Sequence, residues 1–145
     1  MKNLAEVVEK FLHRAWYLKD SSAISEMFIE FAKVSRLEDG TAEKMQEFLR
    51  LQQMVTAQFD EIRHVTLRSI QEGEWVAMRV LITARHQATG VSVRTRTHIM
   101  ARVVGGRMVE GHDQTDFLSL FEQVGLIPPR AREHCLLGRA LIPAP

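Results

Sequence analysis

Two histidines and an aspartate lie within sixteen residues of one another in this chain. His98 stands in Thr97-His98-Ile99-Met100, and the pair His112-Asp113 closes Met108-Val109-Glu110-Gly111-His112-Asp113. Between the two runs sits Gly105-Gly106, and adjacent glycines reach the positive φ angles of a two-residue hairpin turn. Counting outward from that turn, Val104 pairs with Arg107 and His98 falls opposite Asp113. An imidazole beside a carboxylate can move a proton, so the pair points to general acid/base chemistry. A bulge at Gly111 is the alternative: Asp113 then sides with Ile99, and His98 with His112 and Asp116. A third reading puts His98 on a solvated outer row with Arg94, Arg96 and Arg102, because Val93, Thr95, Thr97, Ile99, Ala101 and Val103 form the apolar row.

The scaffold for these groups can be read from periodicity. Leu4, Val7, Val8, Phe11, Leu12, Ala15 and Trp16 recur at helical spacing and predict a helix over about residues 3–18. Asp20-Ser21-Ser22 is a capping cluster for a second helix carrying Ile24, Met27, Phe28 and Phe31. Glu38-Asp39-Gly40-Thr41 breaks the pattern, and Thr41 starts a third helix reaching Phe59. The period then changes to two. Strands are expected over residues 64–70, 75–85, 91–104 and 108–115, with turns at Gly73 and Gly90. Phe117, Leu120, Phe121 and Val124 predict a short helix ended by Gly125 and Pro128-Pro129, with a tail over residues 130–145. Helices and then a meander of strands make an α+β domain, a curved antiparallel sheet wrapped around N-terminal helices with a pocket between them.

Composition sets the outer limits. At 145 residues the chain is expected to form one domain, and 46% hydrophobic residues can fill a core. A net charge of +1 argues against nucleic-acid binding through a basic surface. Cys135 is the lone cysteine, so no internal disulfide can form, and a cytoplasmic location is expected. The opening residues carry charge early and lack an apolar run, which predicts no signal peptide; no run is long enough to cross a membrane. The six histidines show no metal-ligand spacing, so no metal site is expected.

Gly73-Glu74-Trp75-Val76, Arg85-His86 before Gly90, the run from Gly106 to Asp113, then Asp116-Phe117 and Glu122-Gln123-Val124-Gly125, together resemble SnoaL-like polyketide cyclases. The resemblance spans about residues 4–129 and implies the cone-shaped α+β barrel of the nuclear-transport-factor-2-like superfamily. It also implies a ring-closing aldol reaction without metal or cofactor, driven by an aspartate with a histidine partner. The family aspartate matches Asp113. Aligned without gaps, the family histidine falls on Ile99, with His98 one residue earlier, and the insertion those cyclases carry before this strand is missing here.

The expected function is cofactor-free acid/base chemistry next to a carbonyl on a small apolar ligand, with Asp113 as base and His98 as its partner. Trp16, Arg79, His86, His112 and Asp116 are the candidate substrate-binding residues. Asp116 has a second reading as a helix cap, and His86 as a strand-end residue. His13, His64 and His134 are read as surface residues. A homodimer through the outer sheet face is expected from the resemblance. The alternatives are a non-catalytic binding or assembly module, and an epoxide hydrolase or dehydratase in which Arg79 joins Asp113 and Asp116.

Overall fold

The computed structural model describes residues 3–35 and 41–142. Helix α1, Leu4–Leu12, is capped by Asn3, whose side chain accepts from the Ala5 amide at 3.1 Å. It buries Leu4, Ala5, Val8 and Leu12 on one stripe. The chain then widens into a π-helical turn, His13–Tyr17, where the Leu18 amide reaches the His13 carbonyl at 2.9 Å. One extra residue in a turn rotates the side chains beyond it, and this carries Trp16 toward the sheet. Helix α2, Ser22–Ser35, and helix α3, Thr41–Gln58, complete the helical layer. Of the expected break at Glu38-Asp39-Gly40-Thr41, the first three residues lie outside the described ones.

Four antiparallel strands come next in meander order: β1 Phe59–Glu72, β2 Trp75–His86, β3 Ser92–Val104 and β4 Arg107–Thr115. Gly105 and Gly106 take φ of +59° and +77°, as the tight hairpin turn requires. Strand β1 begins at Phe59, earlier than the periodicity suggests. Its alternation is interrupted by irregularities at Glu61-Ile62 and at Leu67, and Glu61 adopts φ +51°. Such bulges bend a strand and increase its twist, which lets this sheet curl around the helices.

The curved face closes over α1. Val8, Leu12 and Met27 pack with Val76, Met78, Val80, Ile99, Ala101 and Val103 in one buried cluster. Helix α4, Phe117–Gln123, seals one end, and Gln123 pins it to the sheet. Its Oε1 accepts from the Arg94 amide at 3.1 Å, and its Nε2 donates to the Arg94 carbonyl at 2.8 Å. The expected tail contains a short helix, α5 Ala131–Leu136, anchored by buried Ala131 against α4. Among the described residues, no helix is long and apolar enough to cross a membrane.

Candidate functional site

Between sheet and helices lies a cavity of about 100 Å³, open at one end. Its wall is mainly apolar. Phe11 and Trp16 come from the first helical segment, Phe48, Leu51 and Val55 from α3, and Phe117 and Leu120 from α4. The sheet contributes Phe59, Ile62, His64, Ile82, Val93, Thr95, Thr97, Ile99, Asp113 and Thr115. Trp16 joins this wall while packing against all three buried clusters.

Which β4 side chains face inward is decided by one bulge. Arg102 pairs with Glu110 but Val103 pairs with Met108, so Val109 is the extra residue. Met108 and Val109 are both buried, as expected when two side chains of a bulge lie on the same side. The register beyond the bulge therefore slips by one. Ile99, not His98, stands opposite Asp113, and His98 pairs with Gln114. A one-residue slip moves a side chain to the other face of a sheet. Asp113 thus points to the cavity, and His98 points away from it. Gly111 is not the bulge. It faces inward opposite Ala101, and a Cβ there would meet Met108 Cε at 2.6 Å.

Asp113 is exposed at the cavity mouth, and its Oδ2 accepts from Thr115 Oγ1 at 3.0 Å. The Thr115 hydroxyl lies 2.9 Å from that of Thr97. Asp113 is the acidic side chain among the cavity-lining residues described.

The remaining candidates divide by face. Arg79 pairs with His98 on one side and Arg68 on the other, so all three lie on the outer face. They border a shallow outer groove with Ile70 and Met100. His112 stands opposite Met100 on the outer side of β4 and also borders the cavity. Its ring stacks on Trp75 with centroids 6.4 Å apart, and its Nε2 lies 3.0 Å from Glu110 Oε2. His86 faces inward but is buried beyond the cavity, against Phe59 at 5.1 Å, with Nδ1 held 2.8 Å from Thr89 Oγ1. Its backbone closes the turn to Gly90 and Val91, so it serves the strand end. Asp116 caps α4, its Oδ1 accepting from the Ser119 amide at 3.0 Å. Asp113 also borders the outer groove with Arg79, but Asp116 lines neither hollow, so the three do not gather in one site. Among the described residues, no three His, Cys, Asp or Glu side chains gather as a metal site requires.

The sequence reading missed His64. It is a largely buried cavity-wall residue rather than a surface one, and its Nδ1 has no hydrogen-bond partner among the described residues. Burial holds its pKa down at about 4, so the ring is neutral near pH 7. Inward-facing Phe59, Ile62, His64 and Thr66 are the signal that would have found it, but the Glu61-Ile62 irregularity breaks their alternation.

Against known proteins, the family model described as SnoaL-like polyketide cyclase matches residues 6–124. A search of the curated proteins finds no match to the chain. Among solved structures, IdmH from Streptomyces antibioticus is similar at TM-score 0.62, with 20% identity over 86% of this chain and 99% of that one. TsrD from Streptomyces laurentii aligns at TM-score 0.60, with 14% identity over 86% and 96% of the two chains. A protein from Acidithiobacillus ferrooxidans aligns at 0.61, with 16% identity over 85% and 94%. At these identities the likeness is one of fold.

Proposed function

The chain belongs to the SnoaL-like polyketide cyclase family, and we propose that it is a cofactor-free acid/base enzyme acting at a carbon next to a carbonyl. The observation that carries this reading is the Asp113 carboxylate, turned by the Val109 bulge into the mouth of an apolar cavity. A carboxylate with a free lone pair can take a proton from a carbon acid placed against it. The Thr115 hydroxyl fixes the orientation of one carboxylate oxygen and leaves the other for substrate. The apolar wall supplies affinity for a hydrophobic molecule, and desolvation there strengthens the hydrogen bonds made to it. His98 has no part in this scheme, because it lies on the other face of the sheet.

The test is deuterium exchange at the α-methyl of 4-methylacetophenone, monitored by NMR in heavy water. The wild type accelerates exchange, and Asp113→Asn loses roughly 100-fold or more while still binding the ketone. Unchanged exchange in the variant removes Asp113 from the role of base. The rival reading, a non-catalytic binding module, is favoured by one observation: among the described residues no imidazole hydrogen-bonds to Asp113. It predicts ketone binding with no acceleration of exchange in the wild type.

The same reading includes a homodimer. Ile70, Met100 and Val65 are 66%, 53% and 52% exposed on the outer sheet face, with Leu67 and Trp75 beside them. These exposed apolar side chains flank the row Arg68, Arg79 and His98, and a second copy on a two-fold axis would cover them. Light scattering should give twice the chain mass, and Ile70→Glu with Met100→Glu should halve it. A wild type that runs at the chain mass at all concentrations removes the dimer.

A further inference from the structure

His64 is a half-buried titratable group, its Nδ1 fully buried, that the acid/base scheme does not use. It stands on the inward side of β1 opposite Ile82, and Ile82 in turn pairs with Thr95. The threonines of the same wall are engaged. Thr95 Oγ1 donates to the Asp116 carbonyl at 2.7 Å, and the Thr97 and Thr115 hydroxyls lie 2.9 Å apart. His64 Nδ1 is different, since it is buried with no partner among the described residues. A buried polar atom left unpaired is costly and uncommon, and it calls for a specific explanation. A partner that arrives with a ligand supplies one.

We propose that His64 is the anchoring residue of the cone, hydrogen-bonding an uncharged hydroxyl or carbonyl oxygen on an otherwise apolar, ring-bearing small molecule. The ring-bearing character is argued from Phe11, Trp16, Phe48, Phe59 and Phe117 in the wall. The oxygen is uncharged because a neutral imidazole offers one N–H and one lone pair but no charge. A carboxylate placed against it would lose its water without gaining a counter-ion. His64 and Asp113 stand on the first and fourth strands, with the inward row Thr66, Val80, Thr97 and Thr115 between their rows. The anchored oxygen is therefore separate from the carbon that Asp113 addresses, and His64 determines specificity and position. The proposal rests on the cone being a small-molecule site, not on Asp113 being a base.

The experiment is an NMR titration with toluene, p-cresol, 4-methylacetophenone and p-toluate, which share one ring and differ in the oxygen function. The wild type should bind p-cresol or the ketone at least as tightly as toluene, and should bind p-toluate at least ten-fold more weakly. His64→Leu should keep toluene and lose the oxygen-bearing ligand by ten-fold or more, because a buried oxygen without a partner is rejected. Comparing p-cresol with the ketone separates hydroxyl from carbonyl recognition. Equal ratios to toluene in wild type and variant overturn the proposal, as does tightest binding of p-toluate. A readout that needs no variant is the ¹⁵N resonance of the His64 ring in the wild-type protein. It should move with the oxygen-bearing ligand and stay with toluene, and the reverse overturns the assignment. If toluene itself does not bind, the small-molecule reading falls and takes this proposal with it. If toluene binds and only the His64 effect is missing, the proposal falls alone.

Discussion

Protonating His64 should destabilise the domain as pH falls from neutrality toward 4. Burial holds this imidazole at about 4, against an ordinary 6.5 in the unfolded chain. The unfolded chain therefore binds the proton more tightly, and acid favours unfolding. The stability from keeping the ring neutral is complete above about pH 6.5 and is lost as pH falls toward 4. Linkage across that interval gives roughly 2 kcal/mol lost between pH 7.5 and pH 5, and roughly 3 kcal/mol by pH 4. Against a total of about 5–15 kcal/mol for a domain, this is a large share. The other titratable side chains lining the cavity are His112 and Asp113, both exposed, and they are common to the wild type and to His64→Leu. The difference between the two proteins thus isolates His64. Urea unfolding at pH 7.5 and pH 5 should show the wild type losing about 2 kcal/mol more than the variant. The variant should also gain about 1–3 kcal/mol at pH 7.5, because an unpaired buried nitrogen has been removed. Parallel losses in the two proteins would refute the reasoning, since His64 would then be solvated or paired in the folded state.

Three further predictions rest on separate contacts. Gln123→Ala removes both bonds to the Arg94 backbone, and hydrogen exchange should show α4 opening with a stability loss of about 1–3 kcal/mol. Asp116→Ala deletes the α4 cap and should cost about 1 kcal/mol in urea unfolding while leaving p-cresol affinity unchanged; a loss of affinity would return Asp116 to the binding site. Arg14 bonds Asp20 at 3.0 Å and Glu26 at 2.8 Å. The Ser22 hydroxyl and then the Arg14 guanidinium hold the Asp20 carboxyl below its ordinary range, and Arg14 does the same for Glu26. That stabilisation is present above the ordinary carboxylate pKa and is lost as pH falls through the lowered values, so Arg14→Ala should blunt acid unfolding below about pH 4 and lower Tm less in high salt.

The elements were legible because their signals are local. The helical stripe of Leu4, Val8 and Leu12, the positive-φ glycines at 105–106, and the unbroken β2–β3 alternation need no knowledge of distant residues. The closing Gln123-Val124-Gly125 could be seen as a motif, but its reason, two bonds to the Arg94 backbone, could not. Asp113 could likewise be picked out by type and neighbourhood. Its partner could not be read, because facing in a strand depends on counting residues, and each bulge changes the count by one. Nothing in Met108-Val109-Glu110 announces that Val109 is the extra residue. The bulge buries Val109, and β4 packs on α2, a contact made between residues about eighty positions apart. The irregularity at Glu61-Ile62 acts the same way on β1 and puts His64 in the cavity wall. Chain chemistry alone thus determined the kind of domain and the acid that could work in it. The bulges of β1 and β4, visible only in the folded sheet, decided that His64 and not His98 lines the cavity that Asp113 borders.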